Sequence, residues 1–298
     1  MKAFSNYPDK SCPRDLEPLA TELVGKCEGL PLAVVALGGL MSSKKSVTEW
    51  SSVCENLSWQ LNNNERLEVV KSILLISFND LPSPLKHCFL HCCLFPEDYK
   101  IQRKKLIGLW IAEGFVQQID RTRPIEVAES YLMELILRSM LQVVRRNEFG
   151  RPKHCKMHDL LREIGLSISE REKFGVVYDG KAEIDKCKSH QVRRLSIQTT
   201  KGDLQSYSNM TRLRSLFVAL DLENAAIDIL PEGLGTLFNL RYLNLRGTPM
   251  AKLPKSIGKL RNLEALDISE TNIKELPSEV VELQNLRSLA MYNEYYGN

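Results

Sequence analysis

Before about residue 190, apolar positions recur every three or four residues, the period of a helix face. Leu16, Leu19, Leu23 and Val24 make the first stripe, with Asp15 where an N-cap would stand. Gly29 closes it. Leu30 to Leu40 is almost wholly apolar, which predicts a buried helix with Pro31 in its first turn, where no N–H is needed. Trp50, Val53, Cys54 and Leu57 share one face of a helix over Val47 to Leu57. The next begins at Arg66, carries Leu67, Val70, Leu74 and Phe78, and breaks at Asn79-Asp80-Leu81-Pro82. Pro84 opens another, with Leu85, Phe89 and Cys93 inward. Arg103 to Glu113 turns Leu106, Ile107, Trp110 and Ile111 inward and stops at Gly114. Ile125 to Leu137 is helical again. Leu141 to Val144 is β-rich, Asn147 to Pro152 reads as a turn, and Lys153 to Met157 as a return strand. A last helix starts at Asp159, whose carboxylate is expected to cap it by accepting backbone N–H bonds, and carries Leu160, Leu161, Ile164 and Ile168. Helices, a hairpin and a closing helix predict a winged-helix domain.

The tail follows another period. L-x-x-L-x-L recurs at Val192-Leu195-Ile197, Leu213-Leu216-Val218, Leu240-Leu243-Leu245, Leu263-Leu266-Ile268 and Leu286-Leu289-Met291, at offsets of 21, 27, 23 and 23 residues. This is the spacing of a leucine-rich repeat, in which a short strand turns its leucines inward and a return segment closes the coil. Leu230-Pro231, Leu253-Pro254 and Leu276-Pro277 mark the returns, and their prolines exclude a helix there. Arg241, Tyr242, Asn244, Arg246, Glu264, Asp267, Arg287 and Tyr292 are expected to point outward along the concave face. That polar and aromatic mixture suits protein recognition. No polar cap follows Tyr292, so the array reads as cut short.

A chain of 298 residues allows two or three domains, and 43% hydrophobic with 26% charged residues reads as globular. No apolar run is long enough for a membrane span, and the N-terminus has no apolar signal segment. A net charge of +3 does not point to nucleic acid. Arg145, Arg146, Arg151, Lys153 and Lys156 flank the hairpin and could meet DNA phosphates, but no aromatic interleaving accompanies them. Lys181, Lys186, Lys188, Arg193 and Arg194 form a loose basic stretch before the first repeat. The eight cysteines read as mostly buried free thiols. His87, Cys88, His91, Cys92 and Cys93 crowd together, yet no second pair at zinc-finger spacing follows, so no metal is expected. Neither G-x-x-x-x-G-K-[ST] nor a nucleophile–base constellation occurs, so catalytic residues are not expected and the chain is not read as an enzyme.

Three strings stand in one order: Gly29-Leu30-Pro31-Leu32-Ala33, then Cys88-Phe89-Leu90 leading to Leu94-Phe95-Pro96-Glu97-Asp98, then Met157-His158-Asp159-Leu160-Leu161 before the repeats. Together they resemble the plant intracellular immune receptors with a nucleotide-binding domain and leucine-rich repeats, the NLRs, of the coiled-coil type. Lys2-Ala3-Phe4 is similar to the tail of an earlier motif of that family. The resemblance implies that Met1 is internal to a longer protein whose coiled coil, phosphate loop and magnesium-binding aspartates lie upstream.

The resemblance further implies a multidomain α plus α/β architecture. A partial helical domain of the nucleotide-binding module would span 1–64 and a winged-helix domain 65–172. A linker over 173–190 and truncated leucine-rich repeats over 191–298 would follow. Pro31 would pack beside the adenine or ribose of ADP, and His158 would aim a ring nitrogen at its β-phosphate. Asp159 would fix that geometry, and Met157 would pack. ADP would hold the complete protein closed and ATP open, while this chain alone would bind neither. The implied partner of the repeats is a pathogen effector or a host protein altered by one. The implied compartment is cytoplasmic, with no nucleic acid and with oligomerisation only in the complete protein. An interaction scaffold without nucleotide switching, and a DNA-binding winged helix, are the competing readings.

Overall fold

Ser46-Val47-Thr48-Glu49 shows how local chemistry starts a helix here. In the computed structural model Glu49 Oε2 accepts the Ser46 N–H at 3.0 Å, while Ser46 Oγ accepts the Glu49 N–H at 3.3 Å. This reciprocal box opens helix α3, Val47–Leu61. The structure describes residues 2–4, 11–61, 68–119, 121–178, 192–198, 212–218, 230 and 232–291. Met1, Arg66, Leu67, Lys181, Lys186, Lys188, Pro231 and Tyr292, named above, and Cys187 of the eight cysteines lie outside the described residues.

Two compact units form: residues 1–89, 97–107 and 115–164 make the first, and residues 90–96, 108–114 and 165–298 the second. The helices are α1 Glu17–Lys26, α2 Pro31–Met41, α3, α4 Glu68–Asn79, α5 Ser83–Cys93, α6 Arg103–Ala112, α7 Pro124–Leu137 and α8 Asp159–Arg171. The strands β1 Ile101–Gln102, β2 Gln142–Arg146 and β3 Pro152–Lys156 form an antiparallel sheet in the order β1-β3-β2. β2 and β3 are the expected hairpin; the short β1, with no alternating pattern to announce it, pairs Ile101 with Cys155.

In the first unit Phe4 stacks on the buried Trp50, ring centroids 5.5 Å apart. Trp50, Val53, Cys54 and Leu57 are all buried, as one helix face requires. Two expectations change. Asp15 does not cap α1: Leu16 takes that place, without a side-chain cap, and its N–H closes a turn onto Pro13 O at 3.0 Å. Nor is α2 wholly buried. Ala33, Ala36, Leu37, Leu40 and Met41 are inside, but Leu30, Val34 and Val35 are exposed. The close side of α2 needs Gly39, because a Cβ there would stand 2.6 Å from the Arg138 carbonyl. Arg138 itself binds Asp80 and Glu134, at 2.7 and 2.6 Å.

The second unit carries the repeats. Strands β4 Val176–Tyr178, β5 Arg194–Ile197, β6 Ser215–Val218, β7 Tyr242–Asn244, β8 Ala265–Asp267 and β9 Ser288–Ala290 lie parallel in chain order. Their inward residues, from Leu195 through Leu243 to Leu266, fill one continuous core. The stretch expected as a linker behaves otherwise in its described part: Val176–Tyr178 is β4, paired with β5. It covers the sheet edge that the first repeat would leave open. The return segments are 3-10 turns at Glu232–Thr236, Lys255–Lys259 and Ser278–Glu282, and extended Pro254 and Pro277 cap the last two.

Candidate functional site

His158 ends the connection from β3 and stands half-buried just before α8. Its Nδ1 accepts the Leu160 N–H at 3.2 Å. The ring thus occupies one of the donors that a helix start leaves open. Asp159, expected to cap this helix, is exposed at its first position, and His158 does the capping instead. A ring that accepts at Nδ1 is neutral with its proton on Nε2, so the free edge of His158 is a donor. Met157 beside it is buried, as packing requires.

Pro31 stands exposed at the first turn of α2. Leu30 before it is extended and no side chain caps the helix start. The two residues expected to hold nucleotide therefore both sit in the first unit, each at a helix N-terminus. A helix N-terminus favours negative charge. Lys156 Nζ binds Asp98 at 2.7 Å and Arg162 Nη1 approaches Glu97 at 3.5 Å. Lys156 holds the Asp98 carboxyl below its ordinary value, so it stays ionised. These pairs involve the last two residues of Leu94-Phe95-Pro96-Glu97-Asp98 and residues flanking His158.

In the second unit the outward repeat positions divide. Tyr242, Asn244 and Asp267 are only 4%, 5% and 7% exposed. Asn244 Oδ1 accepts the Arg246 N–H and Asp267 Oδ1 the Ser269 N–H, so both carboxamide and carboxylate fold onto their own loops. They do not offer themselves to a partner. Arg246 is committed to Glu270 through two bonds. Arg241 and Arg287 remain exposed, and half-buried Glu264 lies 3.4 Å from Arg241.

The covered end of the face holds a pair that no spacing announces. Arg194 Nε donates to Glu113 Oε2 at 2.8 Å, its Nη1 to Phe174 O at 3.2 Å, and its guanidinium lies 4.2 Å from the Phe174 ring centre. Ser215 Oγ also donates to Glu113. Both charged side chains are almost completely enclosed. Burial pushes the Glu113 carboxyl up and the Arg194 guanidinium down, against their mutual attraction.

The disease resistance protein winged helix domain matches residues 94–164, and a leucine-rich repeat region matches 191–296. Disease resistance protein RPM1 of Arabidopsis thaliana is 45% identical over 80% of this chain and 28% of its own length. Disease resistance protein RPP13 of the same plant is 36% identical over 83% of this chain and 31% of its own. RPP8-like protein 3, also from Arabidopsis thaliana, is 35% identical over 78% and 29% respectively. This chain belongs to the plant disease resistance proteins. It spans less than a third of the length of these relatives. The hairpin of this disease resistance chain is thus the wing of its winged helix, and strands β5 to β9 lie in its repeat region. No helix among the described residues is long and apolar enough to cross a membrane.

Two features escaped the sequence reading. Asn262 Nδ2 donates to Phe238 O at 2.9 Å and Asn285 Nδ2 to Arg261 O at 2.8 Å, each tying its coil to the one before. Their signal was available, since an Asn precedes the first Leu of both repeats. The Glu113–Arg194 pair had none. As for the thiol cluster, Cys88, Cys92 and Cys93 are buried and none is in a disulfide, and burial raises Cys88 well above the usual thiol range. His91 is also buried, its ring edge-on to Phe95, and burial with nearby Arg194 lowers it to about 3.

Proposed function

We propose that this chain is the regulatory and recognition part of a plant intracellular immune receptor, acting in the cytoplasm in defence against pathogens. In the complete protein ADP would hold the closed state, with Pro31 against the base or ribose and His158 Nε2–H on the β-phosphate. ATP would favour the open state. The repeats would take a pathogen effector or a host protein altered by one. The chain's own role is binding and switching, not catalysis.

The observation that carries this reading is the division of labour in one ring. Nδ1 of His158 is held by the Leu160 N–H, which leaves Nε2–H as an oriented donor at a helix start. The exposed Leu30, Val34 and Val35 fit a helix that meets a further domain in the complete protein. Such a nucleotide is a two-state element only if its affinity differs between the states.

The test uses the complete protein with His158→Ala or Asp159→Val. The first removes the donor and the second alters the turn that aims it. Both should lower ADP retention and raise the oligomeric fraction. Unchanged ADP retention and an unchanged monomer fraction in both variants would refute the switch.

A further inference from the structure

The apex of the β2–β3 hairpin carries an aromatic ring that the core of the first unit does not use. Phe149 is 84% exposed. Around it in the chain stand Arg145, Arg146, Arg151 and Lys153, all exposed. Among the described residues no carboxylate lies within ion-pair range of any of these four. Glu148 is the one acid beside them, so four positive charges stand against one negative.

The turn is closed from within. Asn147 Oδ1 accepts the Phe149 N–H at 3.1 Å and the Arg151 N–H at 2.8 Å. The Gly150 N–H donates to Asn147 O and the Asn147 N–H to Arg151 O, both at 2.9 Å. Arg146 Nη1 donates to Gly150 O at 2.8 Å. Gly150 takes a φ of +73°, which a side chain would strain. A braced turn therefore holds Phe149 outward, with the N–H groups on either side of it already bonded.

Crowded like charges repel, and an exposed Phe forgoes hydrophobic burial. Both costs are relieved against a surface that is anionic outside and apolar just beneath. An anionic lipid layer has that profile. Its headgroups meet the guanidinium and ammonium groups, and the ring reaches the boundary of the acyl chains. A turn whose N–H groups are bonded internally enters such a layer at low cost, because little water remains there to replace lost partners. Nucleic acid fits less well. In a helix-turn-helix the second helix enters the groove. Here that helix is α7, which carries Glu126, Glu129 and Glu134 and no Lys or Arg. Single strands stack on successive aromatics, whereas this hairpin offers one Phe and no Tyr or Trp.

We infer that the wing apex, Phe149 with Arg145, Arg151 and Lys153, is a peripheral docking point for an anionic lipid surface. It uses none of the residues assigned to nucleotide or to the repeats.

Co-sedimentation of the full 298-residue chain with phosphatidylcholine vesicles containing about one-third phosphatidylserine tests this. Binding should weaken at least about tenfold on pure phosphatidylcholine, and should fall as salt is raised. Replacing Arg145, Arg151 and Lys153 by Gln should weaken it by at least about tenfold. Phe149→Ser should weaken it about fivefold with an unchanged melting curve, because the ring is exposed. A control that replaces exposed Lys255, Lys259 and Arg261 by Gln removes equal charge from the second unit and should leave binding within about twofold. Phe149→Trp should show an emission shift to the blue on the mixed vesicles that the unsubstituted chain lacks. No binding to the mixed vesicles, equal losses in the hairpin and control variants, no emission shift, or tighter binding of DNA than of vesicles at the same phosphate concentration would each overturn the docking point.

Discussion

The two units are held together by different kinds of order. In the first, each helix has its own solution: Ser46 and Glu49 box α3, His158 closes α8, and Gly39 lets α2 approach Arg138. In the second, one solution is copied. Asn262 repeats as Asn285, Asn244 as Asp267, and Thr248 as Thr271, each pair with the same bond at nearly the same spacing. A copied contact can be read by sliding one coil onto the next. A unique contact must be seen.

The sharpest way to break the comparison is through buried charge. The second unit encloses the ion pair Glu113–Arg194, whereas the first keeps its Asp80–Arg138 network at a partly open surface. Glu113→Gln leaves Arg194 charged and unpaired, which should cost about 3–5 kcal/mol. Asp80→Asn should cost much less, about 1 kcal/mol, because Glu134 still serves Arg138. Urea denaturation of the two variants checks the ranking.

A smaller effect follows from acid. Burial holds His91 at about 3, below its ordinary 6.5. Between those values the unfolded chain takes up a proton that the folded one refuses. Stability is therefore complete above pH 6.5 and falls as the pH drops, by about 1.4 kcal/mol per unit. Denaturation curves at pH 6.5 and pH 5 should differ by about 2 kcal/mol from this group, and His91→Leu should remove that part of the difference.

The smallest expected effect concerns the copied bonds. Asn262→Ala and Asn285→Ala should each cost about 1 kcal/mol, and nearly the same amount, because both side chains are exposed and both reach one carbonyl in the coil before. Thermal melts of the two variants would separate by more than experimental scatter only if the coils are not equivalent.

This contrast also explains what the sequence could disclose. Leucine spacing placed every inward residue of β7 and β8, because a strand has only two faces and one is apolar. The same alternation put Tyr242, Asn244 and Asp267 outward and so suggested exposure; periodicity says which way a side chain leaves the strand, not what lies over it. Helix positions were legible from apolar stripes, and the wing from its turn residues. Aspartate is the commoner cap, so Asp159 is the residue the sequence offers, yet the ring nitrogen of His158, one position earlier, does the same work. Glu113 and Arg194 are 81 residues apart, and nothing in either neighbourhood announces the other.

The proposed switch depends most on the state of one ring. Nitrogen NMR of the histidine side chains, with His158→Gln to assign the signal, reads it directly in the full chain at pH 7.5. A neutral His158 with its proton on Nε2 and a hydrogen-bonded, unprotonated Nδ1 is the predicted result. A proton on Nδ1 would contradict the cap, and with it the oriented donor on which the proposed nucleotide switch stands.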